Sequence, residues 1–387
     1  MELHNKNILL ACCYEADYGG NFIRMLTALA DGLQQKFKAK AYFVFPTQTP
    51  KEWLQQLQTQ YEVEFTCKPY SKSVNDLCLL LKKWKIDLVH THFESYDIPV
   101  AKAIKKSHLD VKMVWHLHDN LTLDKSGLNF KIIRKIGTHL RFKLQYGWYG
   151  RKAYFIGVSS EIAGFVCHYR HHLFTYPKEG ILYDNSAFEK ASVLLNGVDL
   201  SRIDGEYKRP NNQFFFLTFG GHTFRKGIPC ILDAAEILWK QGIDFSLIIT
   251  NGVGTQEYIY DRYGGKLPAN LKIVCQTNEV IKLFDKSMCF ISAALKETMS
   301  MAIAEASIYG LPVIQSDIPG TYWNAKNEST RLFKVNDTVD LARQMKSIMA
   351  EDKQKLKREC HHTSESNKKM LSMDKWVDNV MNIYSLV

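Results

Sequence analysis

The sequence lacks the features of a secreted, disulfide-bonded or membrane-spanning protein. No apolar run approaches the roughly 18 residues that a membrane-spanning helix needs. The nine cysteines form no C-x-x-C pair and lie mostly in apolar stretches, which is typical of a reducing compartment. An acid at position 2 precedes a very short apolar stretch, so we interpret the N-terminus as a first buried strand rather than a signal peptide. We therefore expect a cytoplasmic protein.

Two further absences exclude function classes. A nicotinamide dehydrogenase needs G-x-G-x-x-G after its first strand, and neither Gly19-Gly20 nor Gly252-Val-Gly254 completes that pattern. The net charge of +10 suits nucleic acid, acidic lipid or phosphorylated small molecules. Because no nucleic-acid recognition motif accompanies the charge, we expect no nucleic-acid partner.

The alternation of elements predicts an α/β protein of two domains. A chain of 387 residues is long enough for two cores. Short β-rich runs without polar alternation are separated by helix-length amphipathic segments, which indicates parallel sheets covered on both faces. The pattern stops at the polar stretch 193–213 and then restarts. We predict Rossmann-like domains over 1–195 and 196–365 that face each other across a cleft, and a helix over 366–387 that packs on the N-domain.

The run "LKETMSMAIAEASIYGLPVIQSD" carries two carboxylates, Glu297 and Glu305. Glu297 follows a predicted strand, and Ser300 is a suitable N-cap for the helix that comes next. The free N–H groups of that helix start suit a phosphate. The two carboxylates are therefore placed to hydrogen-bond separate hydroxyl-bearing parts of one ligand, although two solvated helix acids are the simpler alternative.

The spacing Glu-x7-Glu, followed by Gly-Leu-Pro-Val and Ser-Asp, resembles the donor-site motif of retaining glycosyltransferases of family 4, which have the two-domain GT-B fold. Other motifs follow in that family's order over nearly the whole chain. They are Gly19-Gly20 with its helix, "IDLVHTHF", "VWHLHD", "GVSSEIAGFV", "LLNGVDLSRI" and "FGGHTFRKGIPCILDAAEIL".

The resemblance assigns residues to the donor. It implies that Glu305 hydrogen-bonds the nucleotide ribose and that Glu297 contacts hydroxyls of the transferred sugar. Lys226 matches the family's diphosphate lysine, where a cation stabilises charge on the departing diphosphate. His118 matches a histidine near the reacting sugar and acceptor; its simpler interpretation is a strand-end histidine bonded to Asp119. The remaining donor-binding candidates are the glycines Gly19, Gly20 and Gly220 and the backbone amides of Thr298, Met299, Ser300 and Met301.

The chain departs from the family pattern in the donor domain. Gly220-Gly221 stands where the family has Gly-Arg, so one diphosphate cation is missing, and Arg225 is the candidate to replace it. Ala293-Ala294 replaces Pro-Ser before the first glutamate. These changes leave both glutamates and Lys226 in place.

The resemblance implies a retaining transferase that moves a hexose-type sugar from a nucleotide-diphosphate donor, with a UDP-sugar favoured, to a saccharide acceptor of capsule or other surface polysaccharide synthesis. The sequence contains no Asp-x-Asp, which disfavours a metal-dependent transferase, and we expect no cofactor. Two alternatives keep the fold: a non-catalytic partner subunit of a glycosyltransferase complex, and a sugar-nucleotide epimerase.

The segment 128–152 is basic, aromatic and free of acids. Apolar residues recur in it at helical spacing. A basic amphipathic segment of this kind suits docking on the anionic inner face of the cell membrane. Docking there would favour a lipid-linked acceptor. The alternative is a core-facing helix with a solvated basic face. The apolar residues are Phe130, Ile133, Ile136, Leu140 and Leu144, followed by Trp148 and Tyr149.

Histidines recur at three places without completing a metal-site pattern. His168 with His171 or His172 has the spacing of a zinc pair, but no carboxylate or second cysteine lies near it in the sequence. Cys360, His361 and His362 also suggest a metal site, but no second cysteine completes it. His90 and His92 are interpreted as a strand-end cluster, so we predict no metal site.

Overall fold

The structure is a computed structural model that describes residues 1–67, 70–118, 131–171, 190–203, 214–277 and 279–387. The chain separates into two compact units, Met1–Gly197 with Met373–Val387, and Val198–Ser372. The sequence prediction ends the first domain at residue 195 and starts a separate C-terminal helix at 366. The division in the structure falls after Gly197 and after Ser372.

The first unit contains a seven-stranded sheet whose neighbouring strands are parallel. Its strands are β1 Asn7–Cys12, β2 Lys40–Pro46, β3 Glu62–Thr66, β4 Leu88–His92, β5 Lys112–Leu117, β6 Tyr154–Gly157 and β7 Ala191–Val193. The order across the sheet is β3-β2-β1-β4-β5-β6-β7. Since helices cover both faces of such a sheet, its central strands β1, β4 and β5 are buried along nearly their whole length, and β4 and β5 bury polar residues as well as apolar ones.

The helices of this part of the chain are α1 Gly20–Phe37, α2 Glu52–Gln60, α3 Val74–Lys83, α4 Asp97–Ser107, α5 Lys131–Phe142 and α6 Ser160–His171. Helix α1 shows why the sequence folds in this way. Its apolar residues recur every three or four positions, and Ile23, Leu26, Leu29 and Leu33 are all buried. The helix ends at Lys38, which adopts a left-handed conformation with φ of 52°.

The second unit contains a six-stranded parallel sheet. Its strands are β8 Phe215–Phe219, β9 Ser246–Thr250, β10 Leu271–Val274, β11 Cys289–Ser292, β12 Val313–Ser316 and β13 Thr330–Phe333. They lie in the order β10-β9-β8-β11-β12-β13. The helices are α7 Ile228–Lys240, α8 Thr255–Arg262, α9 Ile281–Phe284, α10 Met301–Tyr309, α11 Tyr322–Ala325, α12 Thr338–Ala350 and α13 Lys353–Leu371.

The last helix, α14 (Met373–Ser385), belongs to the first unit. Trp376, Val377, Val380 and Tyr384 are buried in the core of that unit, because they form the apolar stripe of an amphipathic helix. The contact with α1 is close: a Cβ on Gly32 would lie 2.7 Å from Cγ1 of Val377.

Two parallel sheets with interleaved helices confirm the predicted α/β class. Among the helices that the structure describes, none combines the length and the apolar character needed to cross a membrane.

Candidate functional site

In the second unit, the chain turns sharply where β8 ends. The backbone N–H of Gly220 donates to the carbonyl oxygen of Thr250 (3.1 Å) and to its hydroxyl (2.9 Å) at the end of β9. A Cβ at Gly220 would lie 2.0 Å from that carbonyl oxygen. Only glycine therefore fits where these two strand ends approach each other.

The same turn places Lys226 above Gly221. A Cβ at Gly221 would lie 3.3 Å from Cγ and 3.4 Å from Cε of Lys226, so the aliphatic stem of the lysine occupies the space beside this glycine. Gly227, the N-cap residue of α7, adopts a left-handed conformation with a φ of 66°. The position where the family carries an arginine is thus covered by the stem of Lys226.

Lys226 and Glu297 form an ion pair in which the ammonium group donates to Oε1 of the carboxylate. Their side chains are 26% and 12% exposed, so the pair is shielded from water but still accessible. Glu297 lies on the loop between β11 and α10. The N–H of Leu295 on this loop donates to the carbonyl oxygen of Arg225 (2.9 Å) and ties the two loops together.

Gly320 supports the other side of the Glu297 loop. A Cβ at Gly320 would lie 1.9 Å from the carbonyl oxygen of Glu297 and 3.1 Å from the carbonyl carbon of Thr298. The short turn Pro319–Thr321 can therefore pack directly on the loop backbone only because residue 320 has no side chain.

Helix α10 begins beside this ion pair, and Ser300 caps it as predicted. The hydroxyl of Ser300 accepts from the N–H of Ile303 (3.4 Å). The helix ends at Gly310, which has a φ of 98°. The first turn of an α-helix presents N–H groups without partners inside the helix, together with the positive end of the helix dipole. An anion is favoured at this point.

Glu305 lies inside α10 and is only 7% exposed. Oε1 of Glu305 accepts from Nη1 of Arg202 at 3.2 Å. Burial raises the pKa of Glu305 above its ordinary value, and the guanidinium of Arg202 partly offsets that rise. A buried carboxylate held by one cation can still accept hydrogen bonds from a ligand at its other oxygen.

In the first unit, the predicted Gly19 ends the loop between β1 and α1, and Gly20 is the first residue of α1. Gly20 has a φ of 54°, a conformation that other residues rarely adopt. A Cβ at Gly19 would lie 3.0 Å from the Cβ of Trp53. The hydroxyl of Tyr14 donates to the carbonyl oxygens of Tyr18 (2.9 Å) and Gly19 (3.3 Å), which holds the loop in place.

His118 follows β5 at the same edge of the sheet and is 9% exposed. Its Nε2 lies 3.0 Å from Nδ1 of His92, and its ring meets the edge of Phe22, just after Gly20, with centroids 5.5 Å apart. Burial lowers the pKa of His118 to about 3, against the opposing effect of a hydrogen bond with Asn196. The alternative partner considered from the sequence, Asp119, lies outside the described residues.

Family models match both parts of the chain. Residues 201–370 match glycosyl transferases group 1, and residues 60–174 match glycosyltransferase family 4. A relative from Escherichia coli, UDP-Gal:alpha-D-GlcNAc-diphosphoundecaprenol alpha-1,3-galactosyltransferase, is 28% identical over 285 residues, 69% of this chain and 67% of the relative. The chain belongs to the group 1, family 4 glycosyltransferases.

Solved structures share the fold of this glycosyltransferase. A glycosyltransferase from Rickettsia africae superposes with a TM-score of 0.76 at 17% identity, covering 98% of each chain. Anabaena HepE in complex with UDP and glucose has a TM-score of 0.73 at 15% identity, covering 99% of this chain and 100% of that one. These likenesses confirm the predicted GT-B fold.

The structure brings some of the predicted site residues of this glycosyltransferase together. Lys226, Glu297 and the start of α10 adjoin in the second unit, whereas Gly19, Gly20 and His118 share one sheet edge in the first. Arg225 is exposed, and its role at a phosphate stays a prediction. Sequence reasoning missed Arg202, although it quoted the segment "LLNGVDLSRI" that contains this residue.

In the segment 128–152, most of the described part of the predicted apolar stripe is exposed: Ile136 (47%), Leu140 (60%), Leu144 (48%) and Trp148 (63%). Tyr149 is half-buried. The residues His139, Phe142 and Tyr146 are buried, so the predicted stripe does not supply the buried face of this segment as the core-facing alternative required. Residues 128–130 and the side chains of 131–135 lie outside the described part.

The predicted histidine pairs have separate outcomes. His168 is buried beside Tyr169, while His172 and the side chain of His171 lie outside the described residues. His362 is exposed, with Nδ1 3.4 Å from a carboxylate oxygen of Glu328. His90 and His92 do lie in a strand-end cluster, which also includes His116 and His118.

Proposed function

We propose that this glycosyltransferase moves galactose from UDP-galactose to a lipid-linked saccharide diphosphate, with retention of configuration and without a metal ion at the diphosphate. The observation that carries the donor side is the Lys226–Glu297 ion pair beside the N-terminus of α10. The choice of galactose and of a lipid-linked acceptor rests on the activity for which the Escherichia coli relative is named.

Glu305 is the proposed ribose ligand. One carboxylate oxygen is held by Arg202, which leaves acceptor capacity on the other oxygen for the ribose hydroxyls. The interaction with Arg202 also opposes the effect of burial on the pKa of Glu305. Arg202 is thus a positioning residue that favours the ionised form of this carboxylate and orients it for the donor.

Lys226 is the proposed diphosphate cation. Without donor its ammonium group pairs with Glu297. A diphosphate at the start of α10 would compete for that ammonium group, since it carries more charge than one carboxylate and also gains the helix dipole. Glu297 would then be free to accept hydrogen bonds from the sugar hydroxyls. The cation stabilises the negative charge that develops on the leaving UDP as the glycosidic bond breaks.

The anomeric configuration is retained in this proposal because the acceptor hydroxyl attacks the sugar on the same face from which the diphosphate leaves. The acceptor hydroxyl forms the new glycosidic bond, and a phosphate oxygen of the departing UDP takes its proton. Burial keeps the imidazole of His118 neutral by lowering its pKa to about 3. A neutral ring can hydrogen-bond the sugar or the acceptor without adding positive charge to the site.

The exposed apolar stripe of Ile136, Leu140, Leu144 and Trp148 supports membrane docking of the first unit. A membrane surface buries such a stripe. The basic side chains of Arg141, Arg151 and Lys152 are also exposed and suit anionic headgroups. Docking would deliver the enzyme to an acceptor that stays in the membrane.

The test is a transfer assay with UDP-galactose and a lipid-linked GlcNAc-diphosphate, followed by NMR of the product. We expect an α-linked galactoside, and transfer that needs no added divalent metal ion. A β-linked product would overturn retention, and another sugar used in preference would overturn the donor. Donor binding without transfer would favour a non-catalytic subunit, and an inverted sugar on the nucleotide would favour an epimerase.

A further inference from the structure

Three buried histidines on adjacent strands form a compact group in the first unit. His90 and His92 alternate along β4, and His116 on β5 is the register partner of His92. All three are 0% exposed. One ring nitrogen from each lies within 4.8 Å of one ring nitrogen from each of the others. We propose that His90, His92 and His116 bind a transition-metal ion, with Zn²⁺ as the favoured ion.

Four of the six ring nitrogens of these histidines have no hydrogen-bond partner among the described residues. Nε2 of His90, Nε2 of His92 and both nitrogens of His116 are buried and make no hydrogen bond with any described residue. Buried polar atoms are nearly always satisfied, so four orphaned nitrogens in one place need an explanation. An ion that takes one lone pair from each ring satisfies three of them at once.

The partners of the other nitrogens fit metal ligands. Nδ1 of His90 lies 2.7 Å from the hydroxyl of Tyr384 on α14, and Nδ1 of His92 lies 3.0 Å from Nε2 of His118. A histidine that binds metal through one nitrogen usually donates its other N–H to an oriented partner. With Nδ1–H donating, Nε2 of both rings carries the free lone pair that a metal needs.

The ligand type also fits. Imidazole nitrogen suits zinc, copper, nickel and iron. Zinc–nitrogen bonds of about 2.0–2.1 Å require the three nitrogens to approach by roughly 1 Å, which ring rotation can supply.

The bound ion would also act on His118. With Nε2 of His92 on the metal, its proton resides on Nδ1 and must be donated to Nε2 of His118. The second nitrogen of His118 then carries that ring's own proton. The metal would thus fix the tautomer of a histidine at the sheet edge that also carries Gly19 and Gly20.

The experiment uses the full chain without a histidine tag. Zn²⁺ content after purification is measured by mass spectrometry, and Co²⁺ is titrated into chelator-treated protein while its visible spectrum is recorded. We expect about one ion per chain and an absorption typical of three nitrogen ligands. His116→Gln removes a ring whose nitrogens have no described partner, so the variant loses no hydrogen bond of the metal-free structure and is expected to lose the ion.

Two further variants keep the test independent of folding. Tyr384→Phe retains the ring but removes the hydroxyl beside His90, and we expect roughly 10–100-fold weaker metal binding with an unchanged circular dichroism spectrum. His362→Gln, an exposed histidine of the second unit, is expected to bind as the wild type does. Wild-type protein that binds no more metal than His116→Gln would overturn the proposal, as would affinity unaffected by Tyr384→Phe.

Discussion

The ammonium group of Lys226 donates a hydrogen bond to the carboxylate of Glu297, although 71 residues separate them in the chain. This contact joins the loop after β8 to the loop before α10. Two opposite charges that are only partly exposed can exchange partners when a charged ligand arrives. In the proposed function, this exchange of partners lets one site in the second unit bind both a diphosphate and a sugar.

Removing the cation should reduce both turnover and stability, with the larger effect on turnover. For Lys226→Ala we expect kcat to fall about 10²–10³-fold, because a charge that acts on the leaving diphosphate is lost. The free energy of unfolding should fall by about 1–3 kcal/mol, since the Glu297 side chain, only 12% exposed, is left without its cation. Steady-state kinetics and thermal denaturation measure the two effects. The control is Lys346→Ala, which removes an exposed lysine on α12 and should change neither kcat nor the free energy of unfolding. Equal losses of kcat in the two variants would contradict the assignment of Lys226 as the diphosphate cation.

Glu305→Gln should weaken donor binding without destabilising the protein. Loss of the charged acceptor removes about 1.5–3 kcal/mol of hydrogen bonding, or roughly 10–150-fold in affinity for UDP-galactose. Because burial raises the pKa of Glu305, its ionised form opposes folding, and the melting temperature should stay equal or rise. Calorimetry and differential scanning fluorimetry provide the readouts. A lower melting temperature with intact donor affinity would show that Glu305 is purely structural.

The pH dependence of both stability and activity should follow the protonation of Glu305. The pKa of Glu305 is raised in the folded protein, so this group takes up its proton at a higher pH in the folded than in the unfolded chain. Its contribution to stability is therefore present below the unfolded value of about 4.3 and is lost as pH rises through the folded pKa. Donor binding needs the ionised form, so kcat/KM should fall on the acid side at a pH above about 4.3. A pH profile of Glu305→Gln that retains this acid limb would contradict the assignment.

Gly320→Ala should disrupt the Glu297 loop. The new methyl group would lie 1.9 Å from the carbonyl oxygen of Glu297, and overpacking of this kind costs about 1–3 kcal/mol. We expect a lower melting temperature and weaker donor binding together. Gly137→Ala is the control, because a Cβ there has no neighbour within 4 Å. Wild-type donor affinity in Gly320→Ala would show that the loop position does not matter.

Charge placed on the exposed stripe should reduce membrane binding. For Leu140→Asp combined with Leu144→Asp, we expect sedimentation with anionic vesicles to fall at least about 10-fold, since two apolar contacts are lost and negative charge is added. Leu79→Asp is the matched control, because Leu79 is 69% exposed on α3. Activity on a water-soluble acceptor should be unchanged. Equal vesicle binding by the double variant and by Leu79→Asp would contradict docking through this stripe.

The sequence was sufficient for features that depend on local pattern. Buried strands without alternation predicted both parallel sheets, and the cap at Ser300 followed from its residue type and position. The apolar face of α14 was also evident from periodicity. These features arise from contacts that are short in sequence or repeat at a fixed period, so they can be read without the tertiary structure.

The missed features depend on tertiary placement. Arg202 reaches Glu305 across 103 residues, and nothing in its local segment distinguishes it from a surface arginine. His116 joins His90 and His92 only through the register of β4 and β5. In the segment 128–152, helical spacing identified an apolar stripe but not the face that packs on the core, which includes the polar His139.

The central claim is that the second unit binds and uses a UDP-sugar through Glu305 and Lys226. The most direct test measures nucleotide release from a panel of UDP-, GDP- and ADP-sugars, with a lipid-linked saccharide acceptor present, for the wild type and Glu305→Ala. We expect release of UDP from UDP-galactose by the wild type and its loss in the variant. No release from any donor, or release that Glu305→Ala leaves unchanged, would contradict the account.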